Sequence, residues 1–183
     1  MQQKSILAFE IIDKIDLYLV SSCMAVEIER KFLVKHDRWR SLTTGVLYRQ
    51  GYITNQPGRT VRVRIAGDQG FLTIKGNSQG IARAEFEYEI PIADANEMLN
   101  TLCNSPLIEK YRHKINLGNL IWEVDEFLGE NQGLIIVEVE LQSVEQAIDL
   151  PDWVGEDVSH DPRYYNANLS KHPFTQWSVE EPD

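Results

Sequence analysis

The chain has 183 residues, 43% of them apolar and 25% charged, enough for one domain with a well-buried core and too few for two ordinary ones. A formal net charge of −10 argues against a sequence-independent nucleic-acid binder, which needs a basic surface to displace counterions from phosphates. Its two cysteines, Cys23 and Cys103, lie far apart without C-x-x-C spacing, which speaks against a disulfide framework or a zinc site and for a reducing cytoplasm.

No run of about 18 uninterrupted apolar residues occurs, so neither a transmembrane helix nor a membrane partner is expected. Near the N-terminus, Val20-Ser21-Ser22-Cys23 has the form of a lipoprotein cleavage box. Glu10, Asp13, Lys14 and Asp16 interrupt the segment that would have to be apolar, and charges there disqualify a signal peptide. Residues 1–23 are read as an N-terminal extension, either a short amphipathic appendage or the product of a start codon placed upstream of a true initiator at Met24. The functional domain is expected over 24–176, with a tail over 177–183.

From Met24 onward the chain consists of period-2 segments separated by turn residues, the pattern of half-buried strands. Eight strands are expected, over Val26–Lys35, Val46–Thr54, Arg59–Ala66, Gly70–Gly76, Ala82–Pro91, Leu107–Asn116, Asn119–Leu128 and Gly133–Leu141. Turn chemistry such as Gly67-Asp68-Gln69-Gly70 and Leu117-Gly118 joins several of them. Links this short favour antiparallel neighbours. Asp94–Cys103 is expected to be a helix packed outside the sheet on a stripe of Met98, Leu99, Leu102 and Cys103. Further short helices are expected from Ser143 and over Arg163–Lys171.

One face of these strands is nearly all formal charge, and the sign is segregated by strand. Glu27, Glu29 and Lys31 share a face, as do Arg62 and Arg64, then Glu85, Glu87 and Glu89, then Lys110, Arg112 and Lys114, then Glu123 and Asp125, then Glu138 and Glu140. Lys75 completes the set. A solvated outer face would also alternate, but it normally intersperses its signs because like-charged neighbours repel. Carboxylates two residues apart on a strand lie about 7 Å apart on one side, a spacing between which a hard divalent cation such as Mg²⁺ or Mn²⁺ fits. The expected fold is therefore mainly β (α+β), an eight-stranded antiparallel closed β-barrel with its charged face inward and helices packed outside. Such an interior suits a polyphosphate, which the cations would pair with.

The order of these motifs resembles the CYTH superfamily, the triphosphate tunnel metalloenzymes. Its carriers are Glu27-Ile28-Glu29-Arg30-Lys31, Arg62-Val63-Arg64, Thr73-Ile74-Lys75-Gly76, Glu85-Phe86-Glu87-Tyr88-Glu89, Glu109-Lys110-Tyr111-Arg112, Glu123-Val124-Asp125 and Val137-Glu138-Val139-Glu140. Asp161-Pro162-Arg163-Tyr164-Tyr165-Asn166 extends the likeness into the tail. The resemblance covers Met24 to Phe174 and departs from the family in the extension before Met24. It implies a tunnel that binds a small-molecule triphosphate with Mg²⁺ or Mn²⁺. Glu27, Glu29, Glu87, Glu89, Asp125, Glu138 and Glu140 would be metal carboxylates, and Lys31, Arg62, Arg64, Lys75 and Arg112 would hold phosphate oxygens. Tyr52 and Lys110 would form a catalytic pair with Lys110 as proton acceptor; read from the residues alone, Lys110 is equally one more phosphate ligand, Tyr52 a barrel-wall aromatic, and Lys171 either a group that reaches one tunnel mouth or a surface lysine.

The leading expectation is hydrolysis of inorganic triphosphate to pyrophosphate and phosphate. Alternatives are a thiamine or nucleoside triphosphatase, a class IV-type adenylate cyclase, and a polyphosphate- or nucleotide-binding module without turnover. A nucleotide would need an aromatic pocket at one mouth, for which Trp39 and Trp153 are the candidates.

Overall fold

The computed structural model describes residues 28–56, 58–79 and 82–177. Among them stand nine strands, all but the last built on alternating side chains: β1 (Ile28–Val34), β2 (Val46–Gln56), β3 (Arg59–Ala66), β4 (Gln69–Gln79), β5 (Ala82–Ile90), β6 (Ile108–Leu117), β7 (Leu120–Phe127), β8 (Ile135–Leu141) and β9 (Val154–Asp157). Two α-helices, α1 (Ile92–Thr101) and α2 (Asn166–Leu169), and four 3-10 turns complete the described chain. The strands form one antiparallel sheet in the order β5-β4-β3-β2-β6-β7-β8-β1-β9. Gly67, at φ 62°, supplies the left-handed residue of the tight link from β3 to β4, a conformation that costs a side-chain-bearing residue.

The two sides of the sheet have different cover. On the outer side Phe32, Trp122, Val137 and Val139 pack with Trp39, Trp153 and Val154 into one core. Farther along, Val63 and Ile65 meet Ala95 and Leu99 of α1. Gly51 lets the segment after α1 lie on the backbone of β2, since a Cβ there would stand 2.7 Å from both Cys103 Cβ and Leu107 Cδ2. The inner side carries the charged residues, and two residues along the same faces it becomes apolar. Ile108, Phe127 and Ile136 follow Lys110, Asp125 and Glu138, and pack with Leu134 and Leu169 under the C-terminal segment. The charged surface thus ends against an apolar floor.

Four expectations need correction. The sheet has nine strands, not eight, and among the described residues its ladder ends at β5 and β9 without closing. The extra strand carries no period-2 signal, because Val154-Gly155-Glu156-Asp157 is four residues long and lacks alternation; it is held as an edge on β1. No helix forms at Ser143: a turn closed by Gln146 N donating to the Ser143 carbonyl stands there, and Pro151 limits any continuation. The tail helix is split into a 3-10 turn (Pro162–Tyr164) and the short α2. In α1 the stripe is Ala95, Met98 and Leu99, joined as expected by Cys103 just past the helix end, while Leu102 is exposed. The expected extension over residues 1–23, Glu27, and all but Trp177 of the expected tail over 177–183 lie outside the described residues. No helix among the described residues is long and apolar enough to cross a membrane.

Candidate active site

Strand register brings charges of both signs together. Lys31 on β1 lies opposite Glu138 on β8, and Glu29 opposite Glu140; Glu138 is in turn opposite Glu123 on β7. Like charges placed so directly destabilise a sheet unless cations separate them. Lys31 donates its ammonium protons to both Glu29 and Glu138. Arg112 on β6 serves the other side, donating to Asp125 through Nε at 2.7 Å and to Glu123 and Glu138 through its terminal nitrogens. Lys110, 2% exposed, donates to Asp125, which is wholly buried.

A second group forms on β3 to β5. Glu87 accepts from Arg64 at 2.9 Å, from Arg62 at 3.3 Å and from the Thr73 hydroxyl at 2.7 Å. Lys75 pairs with Glu85 at 2.7 Å. The Nε–H groups of Arg62 and Arg64 are buried and have no hydrogen-bond partner among the described residues. Buried donors are nearly always satisfied, so these two are available to an acceptor that enters beside them.

Burial penalises the charges of Lys31 and Glu138, but each is overcome by the other and by neighbours. Glu138 and Glu29 raise Lys31 above the ordinary lysine range, and Lys31, Lys110 and Arg112 hold Glu138 well below the usual carboxylate range. Lys110 goes the other way: burial and the adjacent Arg112 push it down against the pull of Asp125 and Glu138. Burial raises the Tyr52 phenol, with Arg62 and the hydrogen bond from Gln50 opposing. Burial and Arg62 lower Arg64.

These groups surround one cavity of about 940 Å³. Of the sequence-predicted residues, Glu29, Lys31, Tyr52, Arg62, Arg64 and Lys75 line it, together with Glu87, Lys110, Arg112, Glu138 and Lys171. Asp125, Glu89 and Glu140 are not in its wall; Asp125 lies behind Lys110 and Arg112, and the other two are exposed. Tyr52 accepts a hydrogen bond from Gln50 Nε2 at 3.2 Å. Trp39 and Trp153 are buried in the outer core, so neither offers a base-stacking surface at a mouth. Unforeseen wall residues include Tyr48, Gln50, Thr60, Ser159, Tyr165 and Asn166. Tyr48 and Gln50 could have been found by counting back in twos from Tyr52 along the same strand face.

Among the described residues no three carboxylate, imidazole or thiol groups converge as a metal site. Two carboxylates, Glu29 and Glu138, do converge, on the Lys31 ammonium, and Glu140 lies across the ladder from Glu29; oxygen donors of this kind are the type that a hard divalent cation takes.

A curved antiparallel sheet that turns paired acids and bases into one cavity defines an anion-binding β protein. A family profile described as the CYTH domain matches residues 25–168, and the chain belongs to that family. It is 54% identical over 151 residues to an inorganic triphosphatase of Acetivibrio thermocellus, covering 82% of this chain and 97% of the relative. A second inorganic triphosphatase, from Nitrosomonas europaea, is 36% identical over 152 residues, covering 79% and 96%. The crystal structure of an inorganic triphosphatase superposes with a TM-score of 0.61 at 35% identity, covering 79% of this chain and 93% of that one.

Proposed function

We propose that this chain hydrolyses inorganic triphosphate to pyrophosphate and phosphate with the help of Mg²⁺ or Mn²⁺. The observation that carries the reading is the pair of buried, unsatisfied Nε donors of Arg62 and Arg64 in a cavity shared with Lys31, Lys75 and Arg112. Such donors suit the charged oxygens of a phosphate chain, and two relatives that match nearly over their full length bear the same activity in their names. We infer further that the cavity serves as the expected tunnel, its wall drawn from β1 to β6, from β8 and from the C-terminal segment.

Glu29, Glu138 and Glu140 would hold the divalent cation, with Glu27 joining them; once bound, such an ion neutralises phosphate charge and lowers the pKa of a coordinated water. Phosphoryl transfer asks the protein mainly for positioning and charge stabilisation. Arg62 and Arg64 present Nε donors to the phosphate chain, while Lys75 and Arg112 add charge on either side. Lys110 accepts a proton from the attacking water, and burial together with Arg112 shifts it in the direction that role requires, against its pairing with Asp125. Tyr52, bonded to Gln50, orients that exchange. Lys171, exposed in the tail with its ammonium donating to the Asn55 carbonyl at 3.4 Å, marks one mouth. Residues 24–176 carry the function, so a chain beginning at Met24 should keep turnover within a few-fold of the full chain.

The test is phosphate release from a panel of inorganic triphosphate, thiamine triphosphate and ATP with Mg²⁺ or Mn²⁺. Preference for inorganic triphosphate supports the reading, and a preference for either organic substrate contradicts it.

A further inference from the structure

Strand β2 lies between β3 and β6 in the sheet, and Tyr48 on its inner side faces the cavity. Its register partners are Ala66 on β3 and Lys110 on β6. Arg64 pairs with Gln50 and Arg112 with Val46, so each arginine is a diagonal neighbour of Tyr48, one on each side. Their guanidinium carbons stand 6.0 Å and 5.4 Å from the centre of its ring. Arg64 also lies 5.3 Å from the ring of Phe71.

Carboxylates hold these guanidiniums at their edges: Glu87 bonds a terminal nitrogen of Arg64, and Asp125 forks onto Arg112. The single terminal-nitrogen contact leaves the plane of Arg64 free to tilt, while Arg112 is also held by Glu123 and Glu138; an aromatic neighbour restrains such a plane by stacking and by the attraction of a cation to a π-face. The two cations also repel each other, Arg112 being among the charges that lower Arg64. A ring between them lessens that cost by giving both the same electron-rich neighbour.

We propose that Tyr48 is a positioning residue that sets the guanidiniums of Arg64 and Arg112 at the angle from which they grip one phosphate chain. The inference rests on the triphosphatase reading, and it assigns the effect to the ring and not to the phenol hydroxyl. Tyr48 is half-buried, so its replacement leaves the outer cores intact.

The experiment is calorimetric titration of the full chain with inorganic triphosphate in the presence of a chelator, together with steady-state kinetics under Mn²⁺. Tyr48→Leu weakens binding about 10-fold, and raises KM by a like factor while kcat holds, the mark of an interaction equal in ground and transition states. Tyr48→Met, which keeps the bulk without a π-face, does the same and replaces the leucine variant if that one does not fold. Tyr48→Phe restores wild-type affinity. In an Arg64→Gln, Arg112→Gln background, loss of the ring has no further effect.

Failure of the wild-type chain both to bind triphosphate with the chelator and to turn it over under Mn²⁺ overturns the substrate reading, and this inference with it. Binding by the wild type with unchanged affinity in Tyr48→Leu and Tyr48→Met overturns the role of Tyr48 alone. Equal loss in Tyr48→Phe and Tyr48→Leu assigns the effect to the hydroxyl, and additivity in the double-arginine background assigns it to a direct contact; either result overturns the inference.

Discussion

Lys110 has two neighbours with opposite demands. Asp125 holds its proton on, while burial and Arg112 drive it off, and the balance lies below the ordinary lysine value. A base must be unprotonated to act, so kcat/KM should rise with pH through a limb set below the usual lysine pKa of about 10.4. Lys110→Ala should lower kcat by about 10²–10⁴-fold with a smaller change in KM, and remove that limb from the pH profile. If Lys110 only holds a phosphate oxygen, KM rises and kcat stays. Tyr52→Phe keeps the ring, removes the oxygen to which Gln50 donates, and should be non-additive with Lys110→Ala if the two act as a unit. Much of this constellation was legible in the sequence, because side chains of one strand parity share a face and the charged parity was unbroken. Tyr48 was harder to read, since it stands between Leu47 and Arg49 and no unbroken charged parity marks the inner face of β2; its side follows only from the parity it shares with Tyr52. The pairing of Glu29 and Glu138 on one ammonium was equally hidden: it depends on register between strands more than a hundred residues apart.

Among the elements, α1 shows how the outer side is sealed. Its first residues follow Pro91, and Ala95 and Leu99 present a narrow apolar stripe to Val63 and Ile65. Leu99 is 2% exposed, so Leu99→Ala should cost about 2–5 kcal/mol in chemical unfolding. Catalytic activity per folded molecule should be unaffected, because α1 contributes nothing to the cavity wall; a loss of kcat at full folding would contradict that separation. The helix was readable from its 3.6-residue period, as were eight of the strands from their period of two. β9 was not, being a short edge whose hold on β1 comes partly from Asp157 accepting from Arg30 Nε at 3.1 Å and from Ser159. Nor could alternation alone tell a ladder that closes from one with ends, since both bury one face of every strand.

The whole molecule carries a net charge of −10 yet gathers cations around its cavity, and its stability should follow those pairs. Burial opposes ionisation of Glu138, Glu87 and Asp157, but their partners hold all three below their ordinary values. A depressed carboxylate stabilises the fold above its unfolded pKa and loses that contribution as pH falls. The melting temperature should therefore fall as pH drops below about 4, and Asp157→Asn should blunt that fall at the β1–β9 edge. A flat melting temperature through the acid range would contradict the pairing.

The most direct test of the central claim is product analysis by phosphorus NMR, with inorganic triphosphate given to the full chain and to Glu29→Gln. Glu29 is an exposed carboxylate paired with Lys31, so the amide should leave the fold in place while removing a charge the cation needs. The prediction for the wild type is one phosphate and one pyrophosphate per triphosphate, only with Mg²⁺ or Mn²⁺ and abolished by a chelator, with turnover lost in the folded Glu29→Gln variant. Hydrolysis that survives the chelator, or turnover unchanged in Glu29→Gln, would contradict it.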